Sequence, residues 1–428
     1  MRKQLWTRLT AAALAALLTA ALPTGISAAA QEDTAPPVEE TPLTEILPAE
    51  PQSPQETPDE PDTPSAEEPT PVPQEIPLTE ILPVESLAQA TAENAAGAEV
   101  PYLDEDGAPQ SVPSATPVTD NDTAWDNGWY VAQDSITIHS RVTVSGDVRL
   151  ILADGCELTI DGGIQVAHPN SLTIYGQSEG NGELTATAPA ESNIYHAAIG
   201  GSTNVQIWEV NYCGSVTING GDVTATGGDA SSGIGGGPVS GGKIVINGGT
   251  VTATGGNNAA GIGGGMQGNG GSVTINGGEV TATGGNQAAG IGSGTMGGRI
   301  QIQINGGTVN ATGGSQGAGI GDGMECSNDG SITITGGTVT ATGGYQGTGI
   351  GGGAKTPGGK ITISGGTVTA NGADGASGIG HGGLGATGGE ITISGGTVTA
   401  TGGSGNPGIS CQDAPENDRP IGLWKKGR

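Results

Sequence analysis

The sequence predicts an all-β solenoid with coils of about 29 residues, and three observations carry the prediction. One block, GGTVTATGG at 248–256, returns as GGDVTATGG (220–228), GGEVTATGG (277–285), GGTVNATGG (306–314), GGTVTATGG (336–344), GGTVTANGA (365–373) and GGTVTATGG (395–403). Its first Val falls at Val223, Val251, Val280, Val309, Val339, Val368 and Val398, in steps of 28 to 30 residues. An Ile that follows Gly keeps the same beat, at Ile234, Ile262, Ile291, Ile320, Ile350, Ile379 and Ile409. Finally, 83 of 428 residues are Gly, Phe is absent and aromatics make up 3%, which is too little large apolar material for an ordinary globular core. Gly does not recur at every third position, so collagen is excluded.

Residues 1–30 read as a secretory signal peptide, with Arg2, Lys3 and Arg8 before the apolar run 11–22 and Ala28-Ala29-Ala30 as the cleavage site. The apolar run is too short to span a bilayer, and no later segment is apolar enough to do so. Residues 31–119 read as a disordered linker holding 18 of the 26 Pro and many Glu, Thr and Ala. PLTEILP occurs twice in it, at 42–48 and 77–83, as a duplicated linker unit or a docking motif. Residues 120–212 are expected to form an N-terminal cap and irregular coils. The cap is TAWDNGWYV (123–131), where Trp125, Trp129 and Tyr130 cluster over the open end of the solenoid, with a sugar-stacking platform as the alternative. Short alternating segments follow from SITIHS (135–140) to ELTATA (183–188), in the period-2 pattern of strands broken by Gly, Asp and Asn. Leu184 to Val223 is 39 residues rather than about 29, so 189–213 is an insertion, expected as a loop on one face.

Residues 213–411 are the regular repeats and 412–428 a C-terminal tail. In the coil at 272–294, Val273, Ile275, Val280, Ala282 and Ile291 are expected to point inward and Thr274, Thr281 and Thr283 outward. Gly277-Gly278 and Gly284-Gly285 are expected to supply positive-φ corners. One coil buries too little to offset its ordering entropy, so coils must stack and equal side chains form ladders. Asn219, Asn247, Asn276 and Asn305 are one expected ladder, continued by Thr335, Ser364 and Ser394.

The net charge is −30, about half of the acids lie in 31–120, and no Lys or Arg lies between Arg8 and Arg141. Such a chain is not expected to bind nucleic acid or an anionic membrane. Cys156, Cys213, Cys326 and Cys411 are widely spaced with no CxxC pair, which speaks against zinc. They read as unpaired thiols, mostly buried; a 156–213 disulfide would need neighbouring coils.

The order DVRLILADGCELTIDGGIQV (147–166), NSLTIYGQSEGNGELTAT (170–187), AAIGG (197–201), then repeated GGTVTATGG and GIGGG, resembles the Gly-rich β-helix repeat region of secreted Gram-positive cell-surface proteins, often labelled carbohydrate-binding-domain-containing. The resemblance covers about 123–411 and implies a right-handed parallel β-helix on an exported, wall-associated protein. It carries over no binding residues. Such proteins usually continue into further domains or an anchor.

The sequence calls for no catalytic residue, cofactor or metal. Lys243, Glu279, Arg299, Asp322, Lys360, His381 and Glu390 fall at scattered repeat positions, and Asp322 and His381 are two coils apart, about 10 Å. Two candidate ligand surfaces stand out. One is the insertion, with Tyr195, Trp208 and Tyr212; the other is the outward Thr lattice, including Thr250, Thr252, Thr254, Thr281, Thr283, Thr338, Thr340 and Thr342. Thr is also the best exposed strand former, so a repeat would keep it without a ligand, and a regular hydroxyl and methyl lattice also suits ice. The expectation is an exported, non-enzymatic surface protein that binds polysaccharide or a cell-wall or host surface, as adhesin or carbohydrate-binding module. A structural stalk or surface-layer repeat is the alternative, and a polysaccharide lyase with its site in 189–213 a further one.

Overall fold

A computed structural model describes residues 99–189, 194–204, 206, 209–269, 271–327 and 330–411. The expected signal peptide, the expected linker up to 98, Trp208 and the expected tail from 412 lie outside the described residues. Among the described residues every regular element is a β-strand.

Three long parallel sheets of 11, 10 and 10 strands form the walls of a β-helix. The chain visits them in fixed order. In the coil around Val280 the first wall takes Ser272–Ile275, the second Glu279–Thr283 and the third Ile291–Gly292. The next coil repeats this at Gln301–Ile304, Thr308–Thr312 and Ile320–Gly321, in register: Val273 pairs Ile302, Val280 pairs Val309 and Ile291 pairs Ile320. This is the architecture expected of a right-handed parallel β-helix. Strands are spaced about 4.8 Å apart, so each coil advances the solenoid by that step.

The inward residues are those that period 2 assigns. Val273, Ile275, Val280, Ala282 and Ile291 are fully buried, and their equivalents form one continuous core along the array. Gly278 turns the first wall into the second with φ of 82°. The pair Gly284-Gly285 does not have the expected positive φ. A side chain on Gly285 would run into the carbonyl of Gly256, so close coil-to-coil approach requires glycine there. Further positive φ values fall on non-glycine residues, most of them in two columns. One is Ala230, Asn258, Gln287, Gln316 and Gln346; the other is Val239, Gln267, Met296, Glu325, Lys355 and Leu384. Each column marks the apex of a tight loop beside the Ile-Gly strand. The loops stack coil on coil, as in Gln287 N–H to Ser315 O (2.7 Å) and Met296 N–H to Met324 O (2.9 Å). They also bond each other, as in Met266 N–H to Ala230 O (2.9 Å). They form an outer layer over the third wall, and so Ala259, Ala260, Ala288 and Ala289 are buried although they lie outside the strands.

The N-terminal boundary differs from the expected one. Residues 99–119, assigned above to the linker, carry an antiparallel hairpin, Val100–Leu103 with Pro109–Val112, and the short strand Thr116–Pro117. The hairpin lies on the outer face of the first wall, where Val112 packs with Val131 and Ile151. Tyr102 stacks near Trp129 and Tyr175, both with ring centroids 4.9 Å away. Pro content suggested a spacer, but Tyr102 and Val112 give this segment an apolar face to bury. The aromatic cap therefore divides. Trp125 is fully buried at the first coil of the third wall, with Tyr130 beside it at 5.6 Å, and closes the core. Trp129 points outward beneath the hairpin, with Arg149 5.5 Å above its ring.

The expected loop at 189–213 is folded. Ile194–His196, Ser202–Asn204 and Glu209–Asn211 form an antiparallel three-stranded sheet. Ile199–Gly200, between its first two strands, pairs with Ile164 on one side and Ile234 on the other. The match of AAIGG to the later blocks thus holds in space. The four cysteines are unpaired: Cys156, Cys213 and Cys326 are buried and Cys411 is exposed. Cys156 precedes a second-wall strand and Cys213 a first-wall strand, so they occupy different corners of the solenoid.

Candidate functional site

The second wall presents the most regular surface of the molecule. Alternation along each strand puts Val and Ala inside and every other residue outside. In-register pairing then turns three positions per strand into three straight columns. Thr250 pairs Glu279, Thr252 pairs Thr281 and Thr254 pairs Thr283; Thr308, Asn310 and Thr312 pair Thr338, Thr340 and Thr342. Thr367, Thr369 and Asn371 and then Thr397, Thr399 and Thr401 complete the array. The columns stand about 6.8 Å apart along the strand, with about 4.8 Å between coils. All of these side chains keep solvent exposure. Acids occupy the first column at Glu157, Glu183, Asp222 and Glu279, whereas the last four coils carry only Thr and Asn at the outward positions.

One side-chain ladder links the coils at the leading corner of this wall. Asn247 Nδ2 donates to Asn219 Oδ1 (2.8 Å), Asn276 to Asn247 (2.7 Å) and Asn305 to Asn276 (2.8 Å). Thr335 Oγ1 then donates to Asn305 Oδ1 (2.8 Å). Ser364 and Ser394 follow in the same column, but among the described residues the side-chain ladder ends at Thr335, and the two serines bond there only through their backbone N–H groups, to Ile334 O (2.8 Å) and Ile363 O (2.9 Å).

The insertion does not gather its aromatics. Tyr195 lies on the first strand of the small sheet, opposite Thr203, and burial raises its pKa. Tyr212 follows the third strand and is 54% exposed. The small sheet puts its middle strand between them, and Trp208 lies outside the described residues. The Thr columns belong to the second wall, whereas the insertion is tied to the third, so the two candidate surfaces occupy different faces.

The scattered charges fall apart as potential chemistry. Lys360 pairs with Glu390 (3.4 Å) on the first wall, and Lys355 with Glu325 (2.6 Å) on the outer loops. Asp322 and His381 share a column but have Gly352 between them, as their Ile neighbours pair in successive coils. Among the described residues no group of three or more His, Cys, Asp or Glu could hold a metal ion.

A buried polar cluster in the array escapes the sequence reading. Ser293 Oγ donates to Asp322 Oδ1 (2.8 Å) and lies 3.3 Å from Cys326 Sγ. Cys326 N–H donates to Thr356 Oγ1 (3.0 Å), which donates to Gly323 O (2.9 Å). Burial pushes the Asp322 carboxyl up to about 6, against the hydrogen bond from Ser293 that lowers it. Burial, helped by the charge of Asp322, also pushes the Cys326 thiol up, far from a reactive thiolate. The signal was present as Ser and Asp in place of Gly in IGSG and IGDG, at 291–294 and 320–323.

A family model described as a β-helix repeat matches residues 216–238, 244–266, 273–295, 302–324, 332–354, 361–380 and 391–411. Each match starts on the first wall, and all but the shortened sixth extend past the Ile-Gly or Ile-Ser pair of the third. No curated protein and no solved structure matches the chain.

Proposed function

We propose that this chain is an exported, non-enzymatic surface protein whose β-helix binds polysaccharide through the outward face of its second wall. The observation that supports the reading is a contrast between walls. The first wall is partly covered by the N-terminal hairpin and the third is overlaid by stacked loops, while the Thr columns of the second stand open to solvent. A flat grid of hydroxyls and methyls on a rigid backbone meets both needs of a sugar surface, hydrogen bonding and apolar contact, with little ordering cost on the protein side. The signal peptide and the Pro-rich segment fit an exported role in which a spacer holds the helix away from its attachment point.

The test is binding of the full chain to an array of wall, plant and mucin glycans, beside Thr340→Glu. That residue sits in the middle column between Asn310 and Thr369. We expect at least one polysaccharide to bind and the variant to lose about tenfold or more in affinity with its fold intact, because a charge enters a surface that must be desolvated. Binding unchanged in Thr340→Glu would move the site elsewhere. No binding to any glycan would leave the stalk reading, in which the Thr columns are retained as strand formers.

A further inference from the structure

The last strand of the first wall has a half-covered apolar face. Two inward positions recur along this wall, from Val216 and Ile218 to Ile361 and Ile363, and all of them are buried. In the last strand, Glu390–Ile393, the same positions hold Ile391 and Ile393, which are only partly buried, as is Ile409 of the third wall. The backbone is open there too. Ser364 N–H donates to Ile334 O (2.8 Å) and Ser394 N–H to Ile363 O (2.9 Å), so the inward residues turn their N–H and C=O toward the following coil. Among the described residues no strand follows Glu390–Ile393 on this wall, which leaves a sheet edge of the kind that recruits another strand. At the opposite end of the array the fully buried Trp125 closes the core.

The sequence after Cys411 carries strand residues at the matching place. From Ile379 to Ile391 is a step of 12 residues, and the same step from Ile409 reaches Ile421, with Leu423 two residues on. PIGLW (420–424) therefore sets against EITIS (390–394), with Ile421 over Ile391 and Leu423 over Ile393. Gly422 falls on an outward position, where no side chain is needed for packing. Pro420 falls on the first position and gives up one bond, the one that Ser272 N–H makes to Gly242 O (2.8 Å) in an earlier coil. The first residue of a sheet's last strand is a place where Pro is tolerated.

The next two residues block the turn into a further coil. In each regular coil a Gly-Gly pair leads from the first wall to the second. A side chain on Gly365 would meet Thr335 O, and one on Gly395 would meet Ser364 O, so only glycine fits above the coil below. Lys425 and Lys426 stand where that pair is due. They cannot take the same corner, and lysines beside an edge strand oppose further pairing.

We infer that residues 420–424 form a closing strand on the first wall, in which Ile421 and Leu423 cover Ile391 and Ile393 and Trp424 N–H donates to Ile393 O. The strand occupies an edge to which a second copy of the chain could otherwise add. The inference does not depend on what the second wall binds.

The test uses the full chain. The N–H groups of Ile391 and Ile393 face the closing strand, so their amide exchange is expected to be slow. Leu423→Asp puts a charge on the covered side and is expected to speed that exchange about tenfold or more. Ile363 N–H, one coil below, should keep its protection, which separates loss of the strand from loss of the array. Independently, Thr392→Cys with Gly422→Cys sets two thiols side by side on the outward face, within disulfide reach at the spacing of paired strands. Cys411, the one exposed thiol among the four, is changed to Ser in this variant. Mild oxidation is expected to join positions 392 and 422 within one chain, as read by peptide mapping. A disulfide between two chains would give the edge to a second copy and overturn the inference. Absence of any disulfide, unprotected amides at Ile391 and Ile393 in the wild type, or exchange that Leu423→Asp leaves unchanged would overturn it as well.

Discussion

Replacing Asp322 by Asn should stabilise the protein at neutral pH and do almost nothing in acid. Asp322 is 6% exposed and stands where Gly264 and Gly352 stand in other coils. Its pKa rises from 3.8 to about 6 because burial penalises the charged form. A folded-state pKa above the unfolded value means that the folded chain holds a proton that the unfolded chain has released. The stabilising contribution is therefore complete below pH 3.8 and is lost as pH rises through about 6. A shift of about two units corresponds to about 3 kcal/mol between those limits. Asn keeps the shape and the acceptor for Ser293 Oγ but carries no charge, so its stability should not follow this titration. Because coils of a solenoid open locally, the assay is amide hydrogen exchange at Ile320, Asp322 and Gly323 in acid and at neutral pH, comparing the two proteins. The general repulsion among the acids acts equally on both and cancels in the double difference. A stability gap of the same size at both pH values would refute burial of the charge as the cause.

Other perturbations test the remaining devices. Asn276→Ala removes one bond given to Asn247 and one received from Asn305, and urea unfolding should show a loss of about 1–2 kcal/mol. Leu384→Gly should raise stability by up to about 1 kcal/mol in the same assay, since Leu384 holds φ of 62° while its side chain is 54% exposed. Trp125→Ala should cost about 3–5 kcal/mol and speed exchange at Val144, its strand partner in the next coil. The glycan array with Thr340→Glu tests the open wall.

Period and alternation were enough to read the walls. Val280 and Ala282 inside, Thr281 and Thr283 outside, and the Asn219 to Asn305 ladder all follow from a two-residue strand period and a coil period near 29, which leave a stacked chain one consistent register. The outer loop layer was not legible, because it depends on Asn258, Gln287 and Met296 adopting positive φ, a conformation such residues take only when stacking above and below enforces it. The hairpin at 100–112 was hidden for a related reason. Its Pro residues resemble those of the linker before it, and only the apolar partners Val131 and Ile151, distant in sequence, reveal that it has something to pack on. Asp322 and His196 each occupy a column of small residues. A column is visible only once the register is known, so their burial could not be read from local sequence.

The distribution of charge along the second wall bears on how it would be used. Glu157, Glu183, Asp222 and Glu279 line its first column toward the N-terminal end, while the final four coils present Thr308, Thr338, Thr367 and Thr397 in the same column. Strand propensity alone explains Thr anywhere on an exposed strand, but it gives no reason for acids to stop after Glu279, since the first wall still carries Lys360 and Glu390 in its last coils. A stalk gains solubility from surface charge and has no use for a neutral stretch. A surface that must shed water against an uncharged polymer does, because each ionised group there would have to be desolvated without a partner. Adding an acid at Thr338 or Thr367 should abolish binding, whereas removing the acid at Glu183 should leave it unchanged.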